Sequence, residues 1–108
     1  MDKKITKTLE KFKFALQAQG IKVSRIILFG SCASAKATEG SDIDVAVVSE
    51  DFKDMNLLQR LELIGLALAK AKVFEPIEAL GYTEEEFASN GEGTFIGDEI
   101  KSKGIQVI

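Results

Sequence analysis

Gly30-Ser31 and, after ten intervening residues, Asp42-Ile43-Asp44 join two kinds of chemistry in one short stretch. Glycine lets a backbone approach an anion with no Cβ in the way, and serine adds a hydroxyl donor beside exposed N–H groups. The first pair therefore suits a phosphate. Two carboxylates at alternate positions of a strand lie on the same face, where they repel unless a cation sits between them. A hard divalent ion, Mg²⁺, matches such oxygen donors. Either half alone is commonplace: acidic pairs open many strands, and Gly-Ser is an ordinary turn. Placed side by side after apolar strand signals, they point to a phosphate cradle beside a metal site.

These residues need two strands to position them. Ile26-Ile27-Leu28-Phe29 is a short apolar run that ends at Gly30, and Ile43-Asp44-Val45-Ala46-Val47-Val48 is rich in β-branched residues and closed by Ser49-Glu50-Asp51. Alternation puts Ile43, Val45 and Val47 toward a core, with Asp42, Asp44 and Ala46 on the other face. Around the strands, a helix is expected over about residues 3 to 19, with Ile5, Leu9, Phe12 and Leu16 inward and a stop at Gly20. Asn56 with Gln59 opens a second long helix with Leu57, Leu61, Ile64 and Leu68 as its core stripe. A strand follows within Phe74–Tyr82. Thr83 and Glu86 form a capping box, so Glu84-Glu85-Glu86 reads as a helix start and not a metal cluster. A last helix from about Thr94 to Gly104 precedes an extended tail, Ile105 to Ile108. The expected fold is α/β (α+β): a small mixed sheet with helices on one face, the Asp42/Asp44 face left open for a nucleotide, in one domain spanning 1–108.

Two nearby motifs fail. Gly30 to Ala37 approaches a P-loop, but Ala35 and Ala37 stand where the glycine before Lys36 and the hydroxyl after it are required. An EF-hand fails because Ala46 and Val47 replace an oxygen ligand and a glycine. Composition excludes more. The chain has no histidine, which removes Ser-His-Asp and Cys-His catalysis and histidine-ligated zinc. Its single cysteine, Cys32, cannot close an internal disulfide, fits a reducing cytoplasm and reads as a packing residue. No apolar stretch reaches membrane-spanning length, and no signal-peptide core follows Met1, so a cytoplasmic location is expected. A net charge of −3 disfavours broad nucleic-acid binding. Lys3, Lys4, Lys7, Lys11 and Lys13 surround an amphipathic helix and read as its solvated face.

The run Leu28-Phe29-Gly30-Ser31 through Ser41-Asp42-Ile43-Asp44-Val45 resembles the signature of DNA polymerase β-type nucleotidyltransferases. It is most similar to their shortest members, the minimal nucleotidyltransferases often found with a helical HEPN-domain partner. The resemblance implies that Gly30 and Ser31 hold a nucleoside triphosphate, that Asp42 and Asp44 bind two Mg²⁺ ions, and that a third carboxylate comes from a later strand. Glu78 is the better candidate for it and Glu75 the alternative, since Pro76 cannot donate to a ladder and leaves Glu75 at or before the strand's start. Many relatives carry an arginine and then a glycine shortly after the Gly-Ser pair, where this chain has Ser34 and Ala35. Lys36 would compensate as a point charge without a bidentate fork.

The implied reaction is nucleotidyl transfer, with ATP as donor, to a hydroxyl acceptor. With 108 residues the chain has no room for a separate acceptor domain, so a partner or a second copy is expected to complete the site. The resemblance points to a HEPN toxin, neutralised in some pairs by AMP placed on a tyrosine. Three readings remain at the level of sequence: an antitoxin enzyme modifying its partner, a catalytically weak module that neutralises the partner by contact, and a stand-alone transferase acting on a small molecule.

Overall fold

The computed structural model describes residues 3–30, 42–73, 75–89, 94–101 and 103–108. Helix α1 (Lys3–Ala18) buries Leu9, Phe12 and Leu16 completely, as their spacing predicts. Gly20 then turns the chain with a left-handed φ of 89° into strand β1 (Arg25–Phe29). Strand β2 (Ile43–Val48) lies antiparallel to β1, and strand β3 (Ile77–Tyr82) lies parallel to β2. Helix α2 (Leu57–Lys70) makes the crossover between β2 and β3. Both capping boxes form. The Asn56 side chain accepts from Gln59 N–H at 2.8 Å while that glutamine's side chain accepts from Asn56 N–H at 2.9 Å, and Thr83 and Glu86 do the same at the start of α3 (Glu84–Ser89). A wide π-type helix, α4 (Ile96–Lys101), follows.

The sheet order is β3-β2-β1-β4. The tail expected to be merely extended contributes the short edge strand β4 (Ile105–Gln106), antiparallel to β1. β3 begins only at Ile77. Pro76, unable to donate, instead offers its carbonyl to Ile43 N–H at 2.7 Å, and Glu75 stays outside the strand.

One face of the sheet carries Ile26, Leu28, Ile43, Val45 and Val47, packed against α1 and α2 as expected. The opposite face is less open than the alternation suggested. Ile27, Phe29, Ala46 and Val48 form a second cluster with Phe87 of α3 and Ile96 and Ile100 of α4. Apolar residues on both faces of β1 and β2 need cover on both sides, and the C-terminal helices supply it. Among the described residues, the end of the face nearest Asp44 borders a cavity.

The buried stripe of α2 is also rotated from the expected one. Leu57 and Leu61 are exposed, whereas Arg60, Ile64 and Ala67 are buried, with Leu68 partly so. The reason is Arg60. Its guanidinium donates to the carbonyls of Met55, Gly81 and Phe52 at 2.8–3.0 Å and to both carboxylate oxygens of Glu86 at 2.6 and 3.1 Å. A bidentate fork with carbonyl acceptors on both sides turns a charged residue into an interior one. It holds α2, β3 and α3 together.

Candidate functional site

Strand register assembles the site. Asp44 on β2 stands opposite Phe29 on β1 and opposite Glu78 on β3, so the three side chains form a row across one face of the sheet. Asp42 lies just before β2, and Glu78 extends from an edge strand. The parallel β2–β3 register brings the motif's second aspartate beside the expected third carboxylate. Glu75 has no such place, as it precedes the strand.

Electrostatics at the row are unfavourable to it as it stands. Partial burial raises the Asp44 carboxyl above its ordinary value of 3.8, and a hydrogen bond to Glu78 and the charges of Glu78 and Asp42 push it further in the same direction. Among the described residues, no lysine or arginine forms an ion pair with Asp44 or Glu78. The donor set is all carboxylate oxygen, which fits Mg²⁺. Among the described residues, however, no three such side chains are already gathered around one point. The carboxyls of Asp44 and Glu78 turn toward each other.

Gly30 closes the row at the β1 end. Its φ is 71°, in the left-handed region, and a Cβ added there would drive into the carboxylate of Asp44, with Cγ only 3.2 Å away. Glycine is thus required twice, for the backbone turn and for the space the carboxylate occupies. Ser31 and Lys36, expected to hold the nucleotide, and Cys32, Ser34 and Ala35 between them, lie outside the described residues.

A cavity of about 660 Å³ opens beside the row, lined by Gly30, Asp44 and Glu78 and also by Leu61, Leu80, Phe95 and Glu99. The sequence reading missed Phe95. It stands edge-on to Phe29, with ring centroids 5.8 Å apart, and remains half exposed. The one available signal was an aromatic residue directly before a helix of otherwise inward apolar residues, and that does not say where the ring will lie.

A sequence profile described as a nucleotidyltransferase domain matches residues 5–102. The chain belongs to the nucleotidyltransferase domain family. Its motif resemblance and its fold agree with that assignment. Among curated proteins none matches the sequence significantly. A solved structure from Sulfolobus solfataricus, provisionally assigned as a nucleotidyltransferase, shares the fold with a TM-score of 0.68 at 16% identity, covering 95% of this chain and 78% of that one. A toxin–antitoxin complex solved with AMP-PNP contains a chain with a TM-score of 0.56 at 20% identity, covering 92% of this chain and 71% of that one. No helix among the described residues is long and apolar enough to cross a membrane.

Proposed function

We propose that this nucleotidyltransferase moves a nucleoside monophosphate, AMP from ATP, onto a hydroxyl of a protein partner. The observation that carries the reading is the cross-strand row of Asp44 and Glu78, with Asp42 beside it and Gly30 at its end. Asp42, Asp44 and Glu78 would hold Mg²⁺. Bound there, the metal supplies charge neutralisation and Lewis acidity for displacement at the α-phosphorus. Gly30 gives the Asp44 carboxylate the room a Cβ would take, and Ser31, next in sequence, would offer a hydroxyl donor to the polyphosphate. Glu78, at the far end of the row, would border the acceptor hydroxyl, opposite the departing pyrophosphate.

The protein partner is inferred from the HEPN association of the family members this sequence resembles, from the neighbouring toxin–antitoxin fold, and from the exposed Leu57, Leu58 and Leu61 on α2. A second reading is a module that neutralises the partner by contact with little turnover. It is favoured by the carboxyl groups of Asp44 and Glu78 facing each other instead of a common point. Incubation with α-labelled ATP, Mg²⁺ and the protein encoded beside it separates the two. Label on the partner with the wild type and none with Asp42→Asn/Asp44→Asn is the expected outcome. Label that persists in the double variant removes the carboxylate assignment, and tight partner binding without label selects the module.

A further inference from the structure

Resting on the nucleotidyl-transfer reading, we propose that Phe95 is the stacking platform for the base of the donor nucleotide, in the part of the cavity that lies over the row of Phe29, Asp44 and Glu78. Its placement is the first ground. Ile96 and Ile100 on α4 turn into the second core cluster, 8% and 0% exposed, whereas Phe95 is 53% exposed and borders the same cavity as the carboxylates. It meets the Phe29 ring in a T-shaped contact, and among the described residues more than half of its surface stays exposed.

Stereochemistry is the second ground. In an in-line displacement at phosphorus the attacking oxygen and the leaving pyrophosphate occupy opposite apices, and the nucleoside hangs from an equatorial oxygen at right angles to that axis. With Gly30 at one end of the row and Glu78 at the other, the apical axis runs across the strands. A nucleoside at right angles to it, staying on the protein, runs along the strands into the cavity that Leu80, on the face of Glu78, and Phe95 both border. Leu80 and Phe95 supply apolar lining there, with Glu99 on the same cavity and paired with Lys103, and an aromatic face takes any base with little regard for its edge. Purines, with more area to stack, should bind more tightly than pyrimidines.

The chain contains no tryptophan, so Phe95→Trp would introduce a single indole at the proposed contact. Titration of this variant with the α,β-methylene analogue of ATP and Mg²⁺ should quench its fluorescence saturably, and baseless ribose 5-triphosphate should not. By calorimetry Phe95→Ala should weaken binding of the ATP analogue about tenfold, leaving ribose 5-triphosphate within about twofold of wild type. Phe95 is largely outside the core, so the alanine variant is expected to fold, and its melting curve serves as the control. Equal affinity of Phe95→Ala and wild type for the analogue overturns the stacking role while leaving nucleotidyl transfer intact. Quenching by N-acetyltyrosinamide but not by the analogue also overturns it, by giving the cleft to the acceptor. Failure of the wild type to bind any triphosphate removes both the stacking role and the reading beneath it.

Discussion

Charged groups border strand β3 at both ends, and the two ends solve the same problem in opposite ways. At the C-terminal end Arg60 is almost fully buried, but every direction of its fork meets an acceptor, and Glu86 neutralises it. At the N-terminal end Glu78 sits against Asp44 with Asp42 close by, and among the described residues no cationic side chain pairs with Glu78 or Asp44. The first arrangement is complete within the chain, so it serves stability. The second has no cationic partner for Asp44 or Glu78 among the described residues, and a bound cation would relieve it.

The sharpest way to break the comparison is Asp44→Asn. Label transfer should fall by about a thousandfold, several kcal/mol of transition-state stabilisation, while the melting temperature measured without divalent ions holds or rises, because a repulsive charge has gone. A loss of stability equal to the loss of activity would show the row to be structural. Arg60→Ala should do the reverse. Unfolding in urea should show a loss of about 2–4 kcal/mol, since the carbonyls of Phe52, Met55 and Gly81 lose their donor. Arg60→Lys should recover little, because one ammonium cannot span those acceptors and the carboxylate together.

Gly30 and Gly20 offer a matched pair. Both have positive φ, but nothing lies within 4 Å of a Cβ at Gly20, whereas at Gly30 one would strike Asp44. Gly20→Ala should cost about 1–2 kcal/mol from the left-handed backbone alone. Gly30→Ala should cost more than that by chemical denaturation and should also reduce nucleotide transfer; equal costs would refute the proposed crowding at Asp44. Magnesium should raise the stability of the wild type by about 1.4 kcal/mol at ten times its Kd, and that of Asp44→Asn by much less, in thermal-shift titrations.

The smallest effect concerns pH at the completed end. The hydrogen bonds from Arg60 hold the Glu86 carboxyl below its ordinary value of 4.5, so this contribution is fully present above that value and is lost as pH falls through the folded-state value. Glu86 is 43% exposed, and solvent screening limits the loss to less than about 1 kcal/mol. It should be absent from the acid-unfolding curve of Arg60→Ala.

Much of this was legible in the residues. The strand runs ending at Phe29 and Val48, the inward positions of α1 and both capping boxes rest on local spacing, and they fold as the spacing implies. The phase of α2 was not legible, because Leu57 and Leu61 match the helical period as well as Ile64 does. What turns the helix is the set of carbonyls around Arg60, from residues 5 to 21 positions away in sequence. The cover over the second face was hidden for a similar reason. Phe87, Ile96 and Ile100 are ordinary apolar residues until the chain folds back over β1 and β2.

The sequence by itself determined which groups are available: two aspartates, a glutamate and a glycine, in a chain with no histidine, whose types and local spacing follow from covalent order. Only the tertiary structure decided that Glu78 and not Glu75 stands opposite Asp44, that Gly30 leaves room for that carboxylate, and that Phe95 borders the same cavity. Those relations depend on strand register and on which helix covers which face. Both are set by contacts between residues far apart in the chain, where periodicity carries no information.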